Sequence, residues 1–239
     1  MIAIISDIHA NLEALQTVLS HIDGLGIHPI YCLGDVVGYG PRPNECVDLV
    51  QQRCQFTLMG NHDFAAIGKA DIAYFNRYAQ EAILWTINRL TPERKAFLES
   101  LPFTRVEEPV LYAHSTPINP EEWNYILSER EALYYLDRVS QRVIFIGHSH
   151  IPVVFSEKEQ PFYQEEPFRL DLENNRYVIN VGSVGQPRDG DPRACLVLFD
   201  PDQATVQYVR LHYNVEKTAQ EILDAKLPAF LALRLKSGH

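Results

Sequence analysis

The 239-residue sequence is poor in basic residues and contains no long apolar run. Lysine and arginine together number 21 against 31 acidic residues, which gives a formal net charge of −10. Proteins that bind extended nucleic acid need a basic surface, so this balance argues against a polymer substrate. No apolar stretch approaches the ~20 residues that cross a bilayer, which argues against a membrane partner.

Cysteine is also scarce, and the four cysteines form no closely spaced pair. Cys32 and Cys195 lie inside apolar runs, where a buried and reduced thiol is expected. The first residues lack the basic segment that opens a secretory signal. These absences together predict a cytoplasmic protein.

What the chain does contain is typical of a globular α/β protein. Its first part alternates short apolar runs with helical patterns, which predicts a largely parallel sheet. After residue 150 the pattern changes to strands separated by turns, which predicts a mixed or antiparallel second sheet. We expect a helical segment at about 71–100 and a C-terminal helix at about 215–235. No linker is visible, so residues 1–239 are predicted to form a single domain.

Five apolar strands are each followed at once by residues able to bind a metal. These residues are Asp7 and His9, Asp35, Asn61 with His62, His114, and His148 with His150. In α/β sheets, ligands bind at the carboxyl ends of strands. Five such ends in one sheet would therefore bring these distant side chains together.

The donor atoms of these residues are nitrogen and oxygen only. Imidazole, carboxylate and amide groups suit manganese or iron, with zinc as an alternative. Seven ligands are too many for one ion but fit two divalent ions that share a carboxylate, and two-metal sites hydrolyse phosphate esters. The pattern predicts in-line attack by a metal-bound hydroxide. His62 adjoins Asn61 and is not needed as a ligand, so it is the predicted general acid.

The ordered motifs resemble those of the calcineurin-like metallophosphoesterase superfamily. They are Asp7-x-His9, Gly34-Asp35, Gly60-Asn61-His62-Asp63, His114 and Gly147-His148-x-His150. The resemblance implies a four-layer αββα sandwich with two mixed sheets. Two further segments, at 6–11 and 180–188, look like the small bacterial phosphodiesterase branch, which includes enzymes similar to diadenosine tetraphosphatases.

The same resemblance implies how the ligands divide between the two ions. One ion would be held by Asp7, His9, Asp35 and His150, and the other by Asp35, Asn61, His114 and His148. Asp35 would bridge the two ions.

One departure from the family concerns the residues after Gly34-Asp35. Protein phosphatases continue there with Asp-Arg-Gly, whereas this chain has Gly38-Tyr39-Gly40. The carboxylate that would orient His62 and the arginine that would bind phosphate are both missing. Arg42 is predicted to replace the phosphate contact, and Tyr39 and Arg188 are further predicted substrate contacts.

The sequence thus predicts a dinuclear metal-dependent phosphoesterase, foremost a phosphodiesterase, that acts on a small phosphate ester or a nucleotide. A dinucleoside polyphosphate hydrolase, a protein phosphatase and a catalytically silent metal-binding scaffold remain alternatives. The aromatic residues Tyr74, Phe75, Tyr78 and Trp85 lie at helical spacing, which predicts a core or a partner face rather than a base-stacking surface.

Overall fold

A six-stranded and a five-stranded sheet form the centre of the computed structural model, which describes residues 1–239. The strands are β1 (Ile2–Ile5), β2 (Ile30–Cys32), β3 (Phe56–Thr57), β4 (Thr104–Glu107), β5 (Val110–Ala113), β6 (Val143–Ile146), β7 (Val153–Ser156), β8 (Phe168–Arg169), β9 (Tyr177–Asn180), β10 (Ala194–Asp200) and β11 (Thr205–Leu211). The first sheet has the order β3-β2-β1-β10-β11-β8 and the second the order β4-β5-β6-β9-β7. Both sheets contain parallel and antiparallel pairs, so both are mixed.

Helices cover the outer faces of the two sheets. They are α1 (Leu12–Leu25), α2 (Pro43–Arg53), α3 (Asn61–Ala66), α4 (Arg77–Arg89), α5 (Pro92–Glu99), α6 (Glu129–Leu136), α7 (Val215–Asp224) and α8 (Ala229–Ser237). Short 3-10 turns lie at Ile72–Tyr74 and Pro120–Glu122. None of these helices combines the length and the apolar character needed to cross a membrane.

The core is divided into layers by the alternation of side chains along the strands. Ile4 of β1 faces the second sheet and is fully buried with Phe145 of β6 in the space between the sheets. Its neighbour Ile5 points the other way and packs with Leu15 of α1. Ile144 of β6 points outward in the same manner, against α6. The four-layer αββα sandwich implied by the sequence resemblance is confirmed.

A second, mixed sheet is present as expected, but the strands after residue 150 are divided between the two sheets. Strand β10 pairs antiparallel with β1 in the register Ile2↔Phe199, and β11 and β8 follow it in the first sheet. Strands β7 and β9 extend the second sheet. Pairing between segments almost 200 residues apart leaves no local signature, because alternation along a strand does not identify its partner.

The predicted helical segment at 71–100 begins later than expected. The Asn76 side chain accepts a hydrogen bond from the Ala79 amide and caps α4, which therefore starts at Arg77. Tyr74 and Phe75 precede that cap and lie outside the helix, with Tyr74 90% exposed. The helical spacing predicted for these two residues was therefore wrong, although Phe75 does pack against the core between α4, α7 and α8. The C-terminal helical pattern forms two helices, α7 and α8, which are separated at Pro228.

Candidate metal centre

The predicted ligands follow strand ends that belong to both sheets. Strands β1, β2 and β3 of the first sheet lead to Asp7 with His9, to Asp35 and to Asn61. Strands β5 and β6 of the second sheet lead to the three remaining histidines. The expectation that all five ends lie in one sheet was wrong. The ligands still meet, because the carboxyl ends of the parallel strands in the two facing sheets lie at a shared edge.

Two groups of potential ligand atoms share Asp35. One group is Asp7, His9, Asp35 and His150, and the other is Asp35, His114 and His148, with the ligand atoms of each group within 4.8 Å of one another. The Nε2 atoms of His9 and His150 lie 3.1 Å apart. Asp35 Oδ2 lies 3.6 Å from His9 Nε2 and 3.4 Å from His114 Nε2. The carboxylate of Asp35 therefore faces both groups.

Main-chain carbonyl groups fix the orientation of the imidazole rings. The Nδ1 atoms of His9, His114 and His150 contact the carbonyl oxygens of Val37, Leu33 and Gln186 at 3.1, 3.0 and 2.6 Å. An Nδ1 hydrogen donated to a carbonyl leaves the lone pair of Nε2 facing the centre. His148 is turned the other way, with Nε2 on the Trp123 carbonyl at 2.9 Å, so it offers Nδ1.

The backbone around the centre is strained in the way that functional sites tolerate. Five ligands have positive φ angles: Asp7 (53°), His9 (50°), Asp35 (51°), His148 (67°) and His150 (61°). Such left-handed conformations cost residues other than glycine about 1–3 kcal/mol each, so the surrounding structure must impose them. Gly60 is required here for space. A Cβ added to it would lie 2.1 Å from Asp35 Oδ1.

The buried carboxylates require positive charge. Burial raises the pKa of Asp35, but the charges of His114 and His62 outweigh burial and the net shift is strongly downward. Burial lowers the pKa of His114, but the charge of the Asp35 carboxylate, 3.4 Å from its Nε2, raises it to about 9. The cluster thus favours cations beside its two aspartates.

Several polar atoms in the cluster are buried without a hydrogen-bond partner. They include Asp7 Oδ1, Asp35 Oδ2, Asn61 Oδ1 and His114 Nε2. Unsatisfied buried polar atoms are costly and call for a ligand. Because these atoms are oxygen and nitrogen donors, the residues present fit divalent metal cations.

Asp63 stabilises the backbone around the cluster through hydrogen bonds to main-chain amides. Its two carboxylate oxygens accept hydrogen bonds from the amides of Val36, Val37 and Gly60 at 3.0–3.2 Å. These bonds tie the loop that carries Asp35 to the start of α3. Burial and the charge of Asp35 raise the pKa of Asp63 to about 7.

His62 is buried beside the cluster without being part of it. Its amide donates to Asp35 Oδ1 at 2.8 Å, and its Nδ1 has no hydrogen-bond partner. Its ring centroid lies 4.3 Å from that of Tyr39 and 5.2 Å from that of Phe75. A Cβ on Gly38 would lie 2.4 Å from Nδ1, so ring packing, with no carboxylate, orients this histidine. Burial lowers the pKa of His62 to about 4.

The three predicted substrate contacts lie in different surroundings. Tyr39 packs on His62 and also contacts the ring of His9, with 4.8 Å between centroids. Arg188 lies against the Tyr39 ring. The Arg42 guanidinium donates to Glu221 at 2.8 and 3.1 Å and is not among the cavity-lining residues described next. A substrate contact by Arg42 remains only a prediction.

A cavity of about 590 Å³ opens beside His62 and His148. Its aromatic lining includes Tyr74, Phe75, Trp123 and Tyr125. The Tyr125 ring stacks on the His148 ring, with 4.0 Å between centroids and 12° between planes. The lining also contains three acidic residues and no lysine or arginine. Sequence reasoning missed Trp123 and Tyr125, because they lie in a long loop that has no recognisable motif.

Comparisons with known proteins agree with this geometry. Residues 1–204 match the family model described as the calcineurin-like phosphoesterase superfamily domain. The protein MJ0912 of Methanocaldococcus jannaschii is 43% identical over 245 residues, which cover 100% of this chain and 98% of that protein. A crystal structure of a metallophosphoesterase from Sphaerobacter thermophilus is 40% identical, with a TM-score of 0.89 and coverage of 100% and 98%. The structure of PH1004 from Pyrococcus horikoshii, 19% identical, shares the fold with a TM-score of 0.83 and coverage of 100% and 99%.

Proposed function

Because the chain belongs to the calcineurin-like phosphoesterase superfamily and is a metal-dependent phosphoric ester hydrolase, we propose that it is a dinuclear phosphodiesterase that acts on a nucleotide-like ester. The observation that carries the proposal is the pair of ligand groups that share Asp35. Six of the seven predicted ligand residues belong to these two groups, and Asn61 is the seventh residue that the sequence resemblance implied. A catalytically silent scaffold would be expected to have lost some of these residues, but this chain has kept all seven.

The proposed chemistry divides between the bound cations and the residues of the chain. Two divalent cations, when bound, supply the positive field that stabilises a phosphoryl group and activates water. Asp35 and Asp7 would hold the cations, and the carbonyl groups behind the histidine rings would keep the coordinating nitrogens in place. His62 lines the cavity beside the ligand groups and is the proposed general acid. It would donate its proton from the imidazolium form, which burial disfavours and an adjacent phosphoryl anion favours.

The cavity beside His62 supports an ester with an aromatic, uncharged group such as a nucleoside. Aromatic side chains stack on any nucleobase. The acidic lining, by contrast, disfavours a group of high negative charge. A diester carries one charge fewer than a monoester, so this lining also favours the diester.

Replacing Tyr74 by alanine is expected to raise KM for a nucleotide ester about 10-fold, because stacking on an aromatic side chain contributes ~1–3 kcal/mol per base. The rate constant kcat should change little, since Tyr74 lies apart from the ligand groups. Tyr134→Ala is the matched control, because this half-exposed tyrosine lies on α6 and outside the cavity. An unchanged KM in Tyr74→Ala would remove the nucleoside from the proposal.

Removal of metal is expected to abolish hydrolysis of every phosphoester. Adding Mn²⁺ should restore the highest rate, because the donor set contains only nitrogen and oxygen. The measurement is a screen of phosphomonoesters, phosphodiesters and dinucleoside polyphosphates against single added metals. Full turnover by the metal-stripped protein would contradict the mechanism, and no turnover with any metal would favour the silent scaffold.

A cytoplasmic location remains a prediction.

A further inference from the structure

Two arginines surround the ring of Tyr39 without a carboxylate partner. The guanidinium carbons of Arg188 and Arg234 lie 5.7 and 6.0 Å from the ring centroid. Arg188 donates to the Gln186 side chain at 2.9 Å, and its buried Nε has no partner. Arg234, on α8, donates from Nε to the main-chain carbonyl of His239. Arg188 also donates to the Tyr39 hydroxyl at 3.5 Å, and the remaining donors of both guanidiniums have no acceptor within the protein.

Only these two of the partly or fully buried arginines lack a carboxylate partner. Every other arginine that is at least partly buried forms a salt bridge with an aspartate or a glutamate: Arg42, Arg53, Arg94, Arg176, Arg193 and Arg210. Burial lowers the pKa of Arg234 to about 10, and the positive charge of Arg188 contributes to that shift. Two positive charges are thus held near each other, although the chain contains 31 acidic residues that could have paired with them. An anion from outside would relieve their repulsion.

The pair adjoins the metal centre. The Arg188 amide contacts the carbonyl oxygen of the ligand His150 at 3.3 Å. Tyr39, which both arginines flank, packs on His62 and on the ligand His9. A substrate whose phosphorus lies at the metals can therefore extend to these arginines. The aromatic cavity contains no lysine or arginine, so a second phosphate would find its positive charge at Arg188 and Arg234 instead.

We propose that Arg188 and Arg234 form a subsite for a second phosphate, joined to the one that reacts. This inference rests on the proposed function and specifies its substrate class. One substituent of the reacting phosphate would be an aromatic group in the cavity, and the other would carry a further phosphate to the arginines. Arg234 is the specificity-determining residue that the sequence analysis did not identify.

The experiment is isothermal titration calorimetry of the Mn²⁺-loaded protein with two probes that cannot be hydrolysed. Methylphosphonate has one phosphonate group and methylenediphosphonate has two. We expect the wild type to bind the second probe more tightly, and Arg188→Gln or Arg234→Gln to weaken that binding by about 10- to 100-fold, as for loss of a hydrogen bond to a charged group. Binding of methylphosphonate should change less than 3-fold. Metal content is measured after each titration, since methylenediphosphonate also chelates cations.

Two further variants make the result specific. Arg234→Lys keeps the charge and should recover part of the lost affinity. Arg138→Gln is the matched control, because that guanidinium lies over the Tyr134 ring, also without a carboxylate, on a different part of the surface. Equal losses for both probes would place the arginines on the reacting phosphate and overturn the subsite. Unchanged affinity in both glutamine variants would also overturn it. Because binding is measured without turnover, failure of the proposed hydrolysis would be seen separately, in the screen of esters and metals.

Discussion

Asp35→Asn is expected to remove at least one metal ion per chain and to lower kcat/KM by about 10³-fold or more, since a metal contributes several kcal/mol to stabilisation of a phosphoryl transition state. Asp35 Oδ2 lies within 3.6 Å of one ligand of each group. An asparagine in its place can offer one uncharged oxygen, whereas its NH₂ group has no lone pair to share. A shared ligand is thereby lost although the volume of the side chain is kept.

The measurement for Asp35→Asn is elemental analysis and steady-state kinetics on the same samples. Asp202→Asn is the matched control, because Asp202 is an exposed carboxylate between β10 and β11 that lies outside both ligand groups and outside the neighbouring cavity. The control should retain its metals and most of its activity. Two metals per chain with an unchanged rate in Asp35→Asn would show that Asp35 is not the bridge.

His62→Ala is expected to leave the metal content nearly intact and to lower kcat by about 10²–10⁴-fold, the range typical for a lost general acid. The loss should depend on the leaving group. An alkoxide that leaves near pH 7 needs a proton, whereas a nitrophenolate has a low pKa and needs far less help. The variant should therefore be strongly impaired on nucleotides or alkyl esters and partly spared on p-nitrophenyl substrates.

The outcome for His62→Ala separates three roles for the side chain. The measurement is kcat on both kinds of ester, with metal content determined in parallel and the exposed His212→Ala as control. An equal fall on both substrates would make His62 a hydrogen-bond donor to the phosphoryl group. Loss of metal would place it among the ligands. Since Gly38, Tyr39 and Phe75 hold the ring by packing, the contrast between substrates should be smaller than with a carboxylate-oriented histidine.

The metal cluster could be predicted because its signal is local and repeated. Each short apolar strand is followed directly by a residue such as Asp35 or His114, and strand ends are where α/β folds place ligands. The sheet to which each strand belongs was not predictable in the same way. Nothing near β1 reveals that residues 194–200 pair with it, because that choice depends on packing between distant segments.

The parts of the site that were missed have no local signal either. Tyr125 reaches the cavity from a loop, and Arg234 reaches Tyr39 from the last helix, more than 190 residues away along the sequence. Tyr74 was assigned to a helix because its spacing fits one. The helix instead begins after Tyr74, because the Asn76 side chain accepts a hydrogen bond from the Ala79 amide and caps the helix there.

The pairing of β1 with β10 makes the metal centre a late product of protein synthesis. All seven predicted ligands have been translated by residue 150, yet β10 begins only at residue 194. At ~5–20 residues per second, this gap lasts roughly 2–9 s, during which one edge of β1 has no partner. The Ser183 hydroxyl, which donates to the carbonyl oxygen of Asp7 at 2.8 Å, is also missing for most of that time. A ribosome-bound chain thus carries every predicted ligand while one edge of β1 is still open, and pairing with β10 closes an edge that could otherwise aggregate.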